Sequence, residues 1–210
     1  MKLAEIYEKF KTPPNLQEHM LRAAGVASFI TDHWTEPKID KELIIKAALV
    51  HDLGNLIRFD FINHPEFLGE EQKRLTYWIS VQKEIVAKYG TDDHLATARM
   101  LREIGVSKKM LSRVSNKSFR NVLNIEKTTD WELKILFYAD MRVGPYGIMP
   151  LVDRLNEVIN RWPEAERGKW VDHIEACKKI EKEIQGNVDI NLQEITLDSL
   201  SKEDFSNLEI

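Results

Sequence analysis

The stretch Leu43-Ile44-Ile45-Lys46-Ala47-Ala48-Leu49-Val50-His51-Asp52-Leu53-Gly54 decides the fold of this chain. An apolar run ends in an adjacent imidazole and carboxylate, just ahead of a glycine that can stop a helix. Ile44, Ala47 and Ala48 precede His51 on its helical face, and Ile45, Ala48 and Leu49 precede Asp52, so both polar side chains are expected to point inward. Burying an ionised carboxylate alone is costly, so a fold that places Asp52 there must supply a cation or a dense hydrogen-bond network.

Working outward, the 210 residues, 43% of them hydrophobic and 30% charged, suit one globular domain with a substantial core. Nine glycines and seven prolines are few, and the long segments between them carry apolar residues at helical spacing. The fold class is therefore all-α, a single-domain helical bundle. Helices are expected from Leu3 to Phe10, from an Asn15 cap to His33, and from an Asp40 cap to the His-Asp pair. Asn55 to Leu68 reads as a loop over the core. Further helices should run from Glu70 to Tyr89, from a Thr91 cap to Ile104, and from Ser107 to Asn116. The last ones cover Trp131 to Met141, Pro150 to Arg161 and Glu164 to Gln185, with a break at Gly144-Pro145-Tyr146-Gly147.

Residues 1–186 form the expected helical domain, and residues 187–210 an acidic C-terminal arm. The arm holds Asp189, Glu194, Asp198, Glu203, Asp204 and Glu209 against Lys202 alone, but spaced apolar residues such as Ile190, Leu192, Ile195 and Phe205 suggest that it packs. Its partner would be the body of the protein or a second chain, and the latter would make a homo-oligomer.

Several function classes are disfavoured. No segment approaches the roughly 18 to 20 uncharged apolar residues that cross a bilayer, and the start lacks a secretory core, so a cytoplasmic protein is expected. A net charge of −4 and a pI near 5.9 argue against broad capture of nucleic acid. The cluster Lys108, Lys109, Arg113, Lys117 and Arg120 reads as a solvated helix face. Cys177 is the single cysteine and reads as a packing residue, while His33 and His173 are expected to face solvent.

Three more ionisable residues lie on apolar faces. His19 shares a stripe with Leu16, Ala23, Val26 and Ile30, and Asp140 shares one with Leu133, Leu136 and Phe137. His94 precedes Thr97, Ala98 and Leu101 near a helix start. Each has an ordinary alternative: a hydrogen-bonded core histidine for His19, pairing with Arg142 or Arg154 or a capping role for Asp140, and a surface position for His94. Taken together with His51 and Asp52, however, His19 and Asp140 make a mixed nitrogen and oxygen set suited to one divalent ion such as Mn, Fe, Co, Ni or Zn. Such an ion acidifies water and polarises a phosphoryl oxygen.

The order His19, then His51-Asp52-Leu53-Gly54, then Tyr138-Ala139-Asp140 resembles the HD-domain superfamily of metal-dependent phosphohydrolases over about residues 15 to 160. The resemblance implies a helical bundle around a metal held by His19, His51, Asp52 and Asp140. Some members hold a second metal through two more histidines. His94 is similar to the first of these, but Asn116 stands near where the second is expected and offers only a weak carbonyl ligand, so a second ion is disfavoured. Asn55 replaces a lysine that many members carry after the glycine.

The function implied is hydrolysis of a nucleotide or another small phosphoester. Asp52 and His94 are the catalytic candidates, Asp52 through the ion it binds and His94 by orienting water or protonating the leaving oxygen. Arg22, Lys117, Arg142 and Arg154 could meet phosphate oxygens, with surface salt bridges as their alternative, and Asn55 and Asn116 complete the substrate-contact candidates. Two other readings stay open: a di-iron oxygenase of HD type, and a catalytically degenerate module that senses a nucleotide.

Overall fold

Capping side chains set the helices that matter most. In a computed structural model describing residues 1–145, 147–200 and 204–210, except the Phe67 side chain, α1 spans Leu3–Lys9 and α2 spans Pro14–Asp32. Asp40 accepts from Leu43 N at 3.1 Å to start α3 (Lys41–Val50). After α4 (Leu75–Tyr89), Asp92 accepts from Leu95 N at 2.8 Å to start α5 (Asp93–Glu103). Ser107 similarly starts α6 (Lys108–Asn116), and a short α7 (Val122–Lys127) follows. Asp130 accepts from Leu133 N at 3.0 Å to open α8 (Trp131–Met141). Each cap gives an orphan amide of the first turn a partner.

The remaining helices are α9 (Leu151–Asn160), α10 (Glu164–Arg167) and α11 (Val171–Gln185). Strands β1 (Val143–Gly144) and β2 (Gly147–Ile148) form a minimal antiparallel hairpin after α8. The fold is all-α, as the apolar spacing required.

Helices α3 and α8 lie at the centre. From Leu43 to Val50 every residue of α3 except Lys46 is buried, and α8 buries Leu133 through Ala139 on all sides. A helix apolar all round belongs inside a bundle. Helix α2 packs against both through Leu16, Met20, Ala23, Val26, Ala27 and Ile30, and α6 covers α3 and α8 from another side. Tyr7 on α1 donates to Leu49 O at 2.7 Å, satisfying a carbonyl that the end of α3 leaves open.

Several boundaries differ from the expected ones. Helix α2 starts at Pro14, one residue before Asn15, because proline at the first helical position has its φ preset and needs no amide partner. The α5 cap is Asp92 in place of Thr91, a carboxylate being the stronger acceptor at a helix N-terminus. The helix expected from Glu70 begins only at Leu75, since residues Pro65–Arg74 form 3-10 turns interrupted by Gly69 at φ 54°. Part of the expected loop, Asn55–Arg58, is also a 3-10 turn, and Gln82 of α4 pins it by donating to Leu56 O at 2.8 Å and Phe59 O at 2.9 Å. The helix expected over 164–185 is divided by a 3-10 turn at Gly168–Trp170. Tyr146, Lys202 and Glu203, named above in the chain break and the arm, lie outside the described residues.

The arm lies along the body. Leu192, Ile195 and Phe205 are buried, Leu3 N donates to Leu208 O at 3.0 Å, and Leu200 seats against Gly25 of α2 so tightly that a Cβ there would meet its Cδ1 at 2.8 Å. Cys177 is buried, and burial pushes its thiol up to about 12. His33 pairs with Asp189 of the arm at 2.8 Å. His173 departs from its expected solvent position: it is half-buried against Trp170 and Phe119, because α11 turns this face onto the aromatic side chains beside α7.

Gly54 is where the doublet meets α5. Its amide donates to Thr97 Oγ1 at 3.0 Å, and a Cβ would lie 2.6 Å from Asp93 O and 2.8 Å from Thr97 N. Backbone atoms cannot step aside as a flexible side chain could. Gly54→Ala is expected to destabilise the fold by about 1–3 kcal/mol, read as a fall in Tm of roughly 3–10 °C by thermal denaturation. An unchanged Tm would contradict this packing.

Candidate metal centre

Four residues from three helical regions converge. Helix α2 brings His19, the end of α3 brings His51 and Asp52, and the last turn of α8 brings Asp140. One ligand atom from each lies within 4.8 Å of all the others. His19 Nε2 and His51 Nε2 approach the same oxygen, Asp140 Oδ1, at 3.1 and 3.2 Å. Asp52 stands slightly back, with Oδ2 3.8 Å from His19 Nε2 and Oδ1 3.7 Å from His51 Nε2.

The His51 tautomer follows from its surroundings. Nδ1 lies 2.7 Å from Ala48 O, and a carbonyl can only accept, so Nδ1 carries the proton. In a neutral ring, Nε2 then presents a lone pair to the carboxylate oxygen of Asp140. Two lone pairs facing each other in the interior require a proton or a metal ion between them. The His51 side chain has no solvent exposure, and a divalent ion meets the requirement without charging its ring. A ring nitrogen that donates to a backbone carbonyl while the other faces a cation is the usual setting of a metal-bound histidine. The donor set, two imidazole nitrogens and two carboxylates within reach of one another, therefore fits one divalent ion, which His19, His51, Asp52 and Asp140 would hold.

A fifth group enters the centre. The Lys117 ammonium donates to Asp140 Oδ2 at 2.6 Å and to Asp52 Oδ1 at 3.1 Å, with its side chain only 4% exposed. Burial raises both carboxyls, but the Lys117 ammonium, with the neighbouring His51 imidazole, outweighs it, holding Asp52 at about 2 and Asp140 well below the usual carboxylate range. In return, burial lowers the lysine while Asp140 and Asp52 raise it, with a net upward shift. Sequence reasoning placed Lys117 on a solvated face. The structure corrects this: Met110, Val114 and Lys117 continue one stripe of α6 toward the core, a spacing that was open to inspection.

The other candidates are placed as follows. Asn55 Nδ2 donates to Asp52 Oδ2 at 3.1 Å, so this side chain orients a ligand oxygen. Asn116 is exposed at the end of α6, its amide donating to Ser112 O at 2.8 Å. His94 is 45% exposed on the first turn of α5, 4.0 Å from Asp93 Oδ2, and is not one of the four converging residues. Arg22 sits one turn beyond His19 and pairs with Glu18 at 2.5 Å. Arg154 pairs with Glu157 on its own helix, and its Nε is buried without a hydrogen-bond partner among the described residues.

Arg142 is put to a different use from the expected phosphate contact. It is fully buried and donates to Met149 O, Leu192 O, Ile195 O and Tyr138 Oη. Because α8 turns it away from Asp140, its guanidinium clamps the arm to the hairpin and cannot reach a ligand at the centre. The spacing Ile135, Tyr138, Arg142 already carried that signal, since it follows the buried stripe.

A family model described as HD domain matches residues 16–140, more than half of the chain, and its limits take in His19, the doublet and Asp140. The chain belongs to the HD-domain family. No curated protein and no solved structure was found to match it. Membership places this HD domain in a superfamily of metal-dependent phosphohydrolases, and the four converging residues are its candidate metal ligands. Among the described residues, no helix of this HD domain is long and apolar enough to cross a membrane.

Proposed function

We propose that this HD domain hydrolyses a small phosphoester, nucleotide-like in charge, using one divalent ion held by His19, His51, Asp52 and Asp140. The observation that carries the reading is the meeting of two imidazole nitrogens at a single carboxylate oxygen, with a second carboxylate beside it. When bound, such an ion acidifies water and polarises a phosphoryl oxygen.

The rest of the site supports this chemistry. His19, Asp52 and Asp140 are 21%, 17% and 19% exposed, so one side of the centre is open to a ligand while His51 closes the other. Two carboxylates, Lys117 and a divalent ion would leave a charge of about +1, which favours an anionic group arriving from solvent. Arg22, next to His19 on α2, is assigned to an outer phosphate oxygen, exchanging Glu18 for substrate. His94 is assigned the proton for the leaving oxygen, because α5 is keyed to the turn that follows Asp52.

The test is phosphate release from a panel of nucleotides and phosphomonoesters by protein loaded in turn with Mn, Fe, Co, Ni or Zn. Turnover by the parent chain and its loss in His51→Ala are expected. Tight nucleotide binding with no turnover under any metal would establish a sensing module in place of an enzyme.

A further inference from the structure

The four outer oxygens of Asp52 and Asp140 are divided between different partners. Asp140 turns Oδ1 to the imidazoles and Oδ2 to Lys117, while Asp52 gives Oδ1 to Lys117 and Oδ2 to Asn55. The ammonium thus spans both carboxylates, taking the Asp140 oxygen that the histidines leave free. A dicarboxylate centre offers that bridging position to a cation, and here a covalently attached one fills it.

The backbone delivers the side chain firmly. At Lys117 the chain leaves α6 (φ −79°, ψ 61°), and the turn behind it is tied by Asn121 Nδ2 and Ser118 N, which donate to Asn116 O at 2.9 and 3.0 Å. With a 4% exposed side chain, Lys117 has little path to solvent, and leaving would strip two half-buried carboxylates of a partner.

We propose that Lys117 is a built-in second cation: it takes the place that another metal ion would fill between Asp52 and Asp140, and limits the centre to one divalent ion held at reduced affinity. The inference rests on the metal reading above. Two carboxylates and one ammonium carry about −1, so a first divalent ion brings the centre to about +1 and a second would bring it to about +3 in a partly dehydrated site. The same ammonium repels the first ion and so weakens it. Lys117 is in this sense a positioning residue, setting the charge and the count of the centre.

The test uses the full chain stripped of metal, titrated with Mn²⁺ by calorimetry and examined by native mass spectrometry in excess Mn²⁺, with Lys117→Met as the variant. The parent chain should bind one ion, and Lys117→Met should bind its first ion roughly 10- to 100-fold more tightly, as removal of one nearby positive charge requires. Equal affinity in the two proteins overturns the role of Lys117 but leaves the metal site standing. No ion bound by either ends the metal reading and the inference together. If Lys117→Met does not fold, Lys117→Gln, which keeps polar contacts without the charge, takes its place: tighter binding of the first ion supports the inference, and parental affinity, or two ions bound by the parent chain, refutes it.

Discussion

Asp140→Asn is expected to yield a folded protein that loses its metal. Asp140 Oδ1 is the atom on which both imidazoles converge, and Oδ2 is the closer anchor of Lys117. An amide has nearly the same volume, so the packing around α8 survives, but it removes the negative charge at the focus of the centre. Loss of groups that merely support a ligand costs about 10- to 100-fold in metal affinity, and loss of a direct ligand should cost at least roughly 10²-fold. Phosphohydrolysis, if it depends on that ion, should fall by about 10³-fold. Elemental analysis after gel filtration checks the first statement and phosphate release the second. One ion per chain retained in Asp140→Asn would mean that the ligands lie elsewhere.

The largest effect on stability is expected at a residue that does no chemistry. Arg142→Met removes the donor shared by Met149 O, Leu192 O, Ile195 O and Tyr138 Oη, and methionine offers those acceptors nothing. Tyr138 in turn donates to Glu181 Oε1 at 2.8 Å, so the guanidinium charge is connected to a carboxylate on α11. Leaving several buried carbonyls without a donor should cost about 3–5 kcal/mol, a fall in Tm of roughly 6–20 °C. The arm should loosen first, because Leu192 and Ile195 lose their tether to α8. Limited proteolysis checks this by cleavage within residues 186–200 in the variant under conditions that spare the parent chain. A variant with parental Tm and an uncut arm would show that the apolar contacts of the arm suffice.

The arm illustrates the division between chain and fold. Its apolar residues announced that it packs, and Leu192, Ile195 and Phe205 are indeed buried within the same chain. Nothing in their spacing named Arg142 as the clamp, because the carbonyls it serves are backbone atoms, invisible in a list of side chains. The same limit hid α7 and the 3-10 turn at Phe119–Asn121, short elements held by their neighbours more than by their own periodicity. His94 posed a different problem. Its stripe with Thr97, Ala98 and Leu101 is real, yet those residues are buried while the histidine, on the first turn, is 45% exposed.

Read alone, the residues determined the helical class, the central place of the two apolar helices, and the inward direction of His19, His51, Asp52 and Asp140. Those are consequences of local spacing, since an apolar stripe of 3.6-residue period has only one way to face a core. Which cation stands opposite the carboxylates was decided by tertiary structure. A lysine at the end of α6, 65 residues from Asp52 and 23 from Asp140, becomes their partner only when three helices meet, because electrostatic pairing depends on distance through space and no periodicity along the chain encodes it.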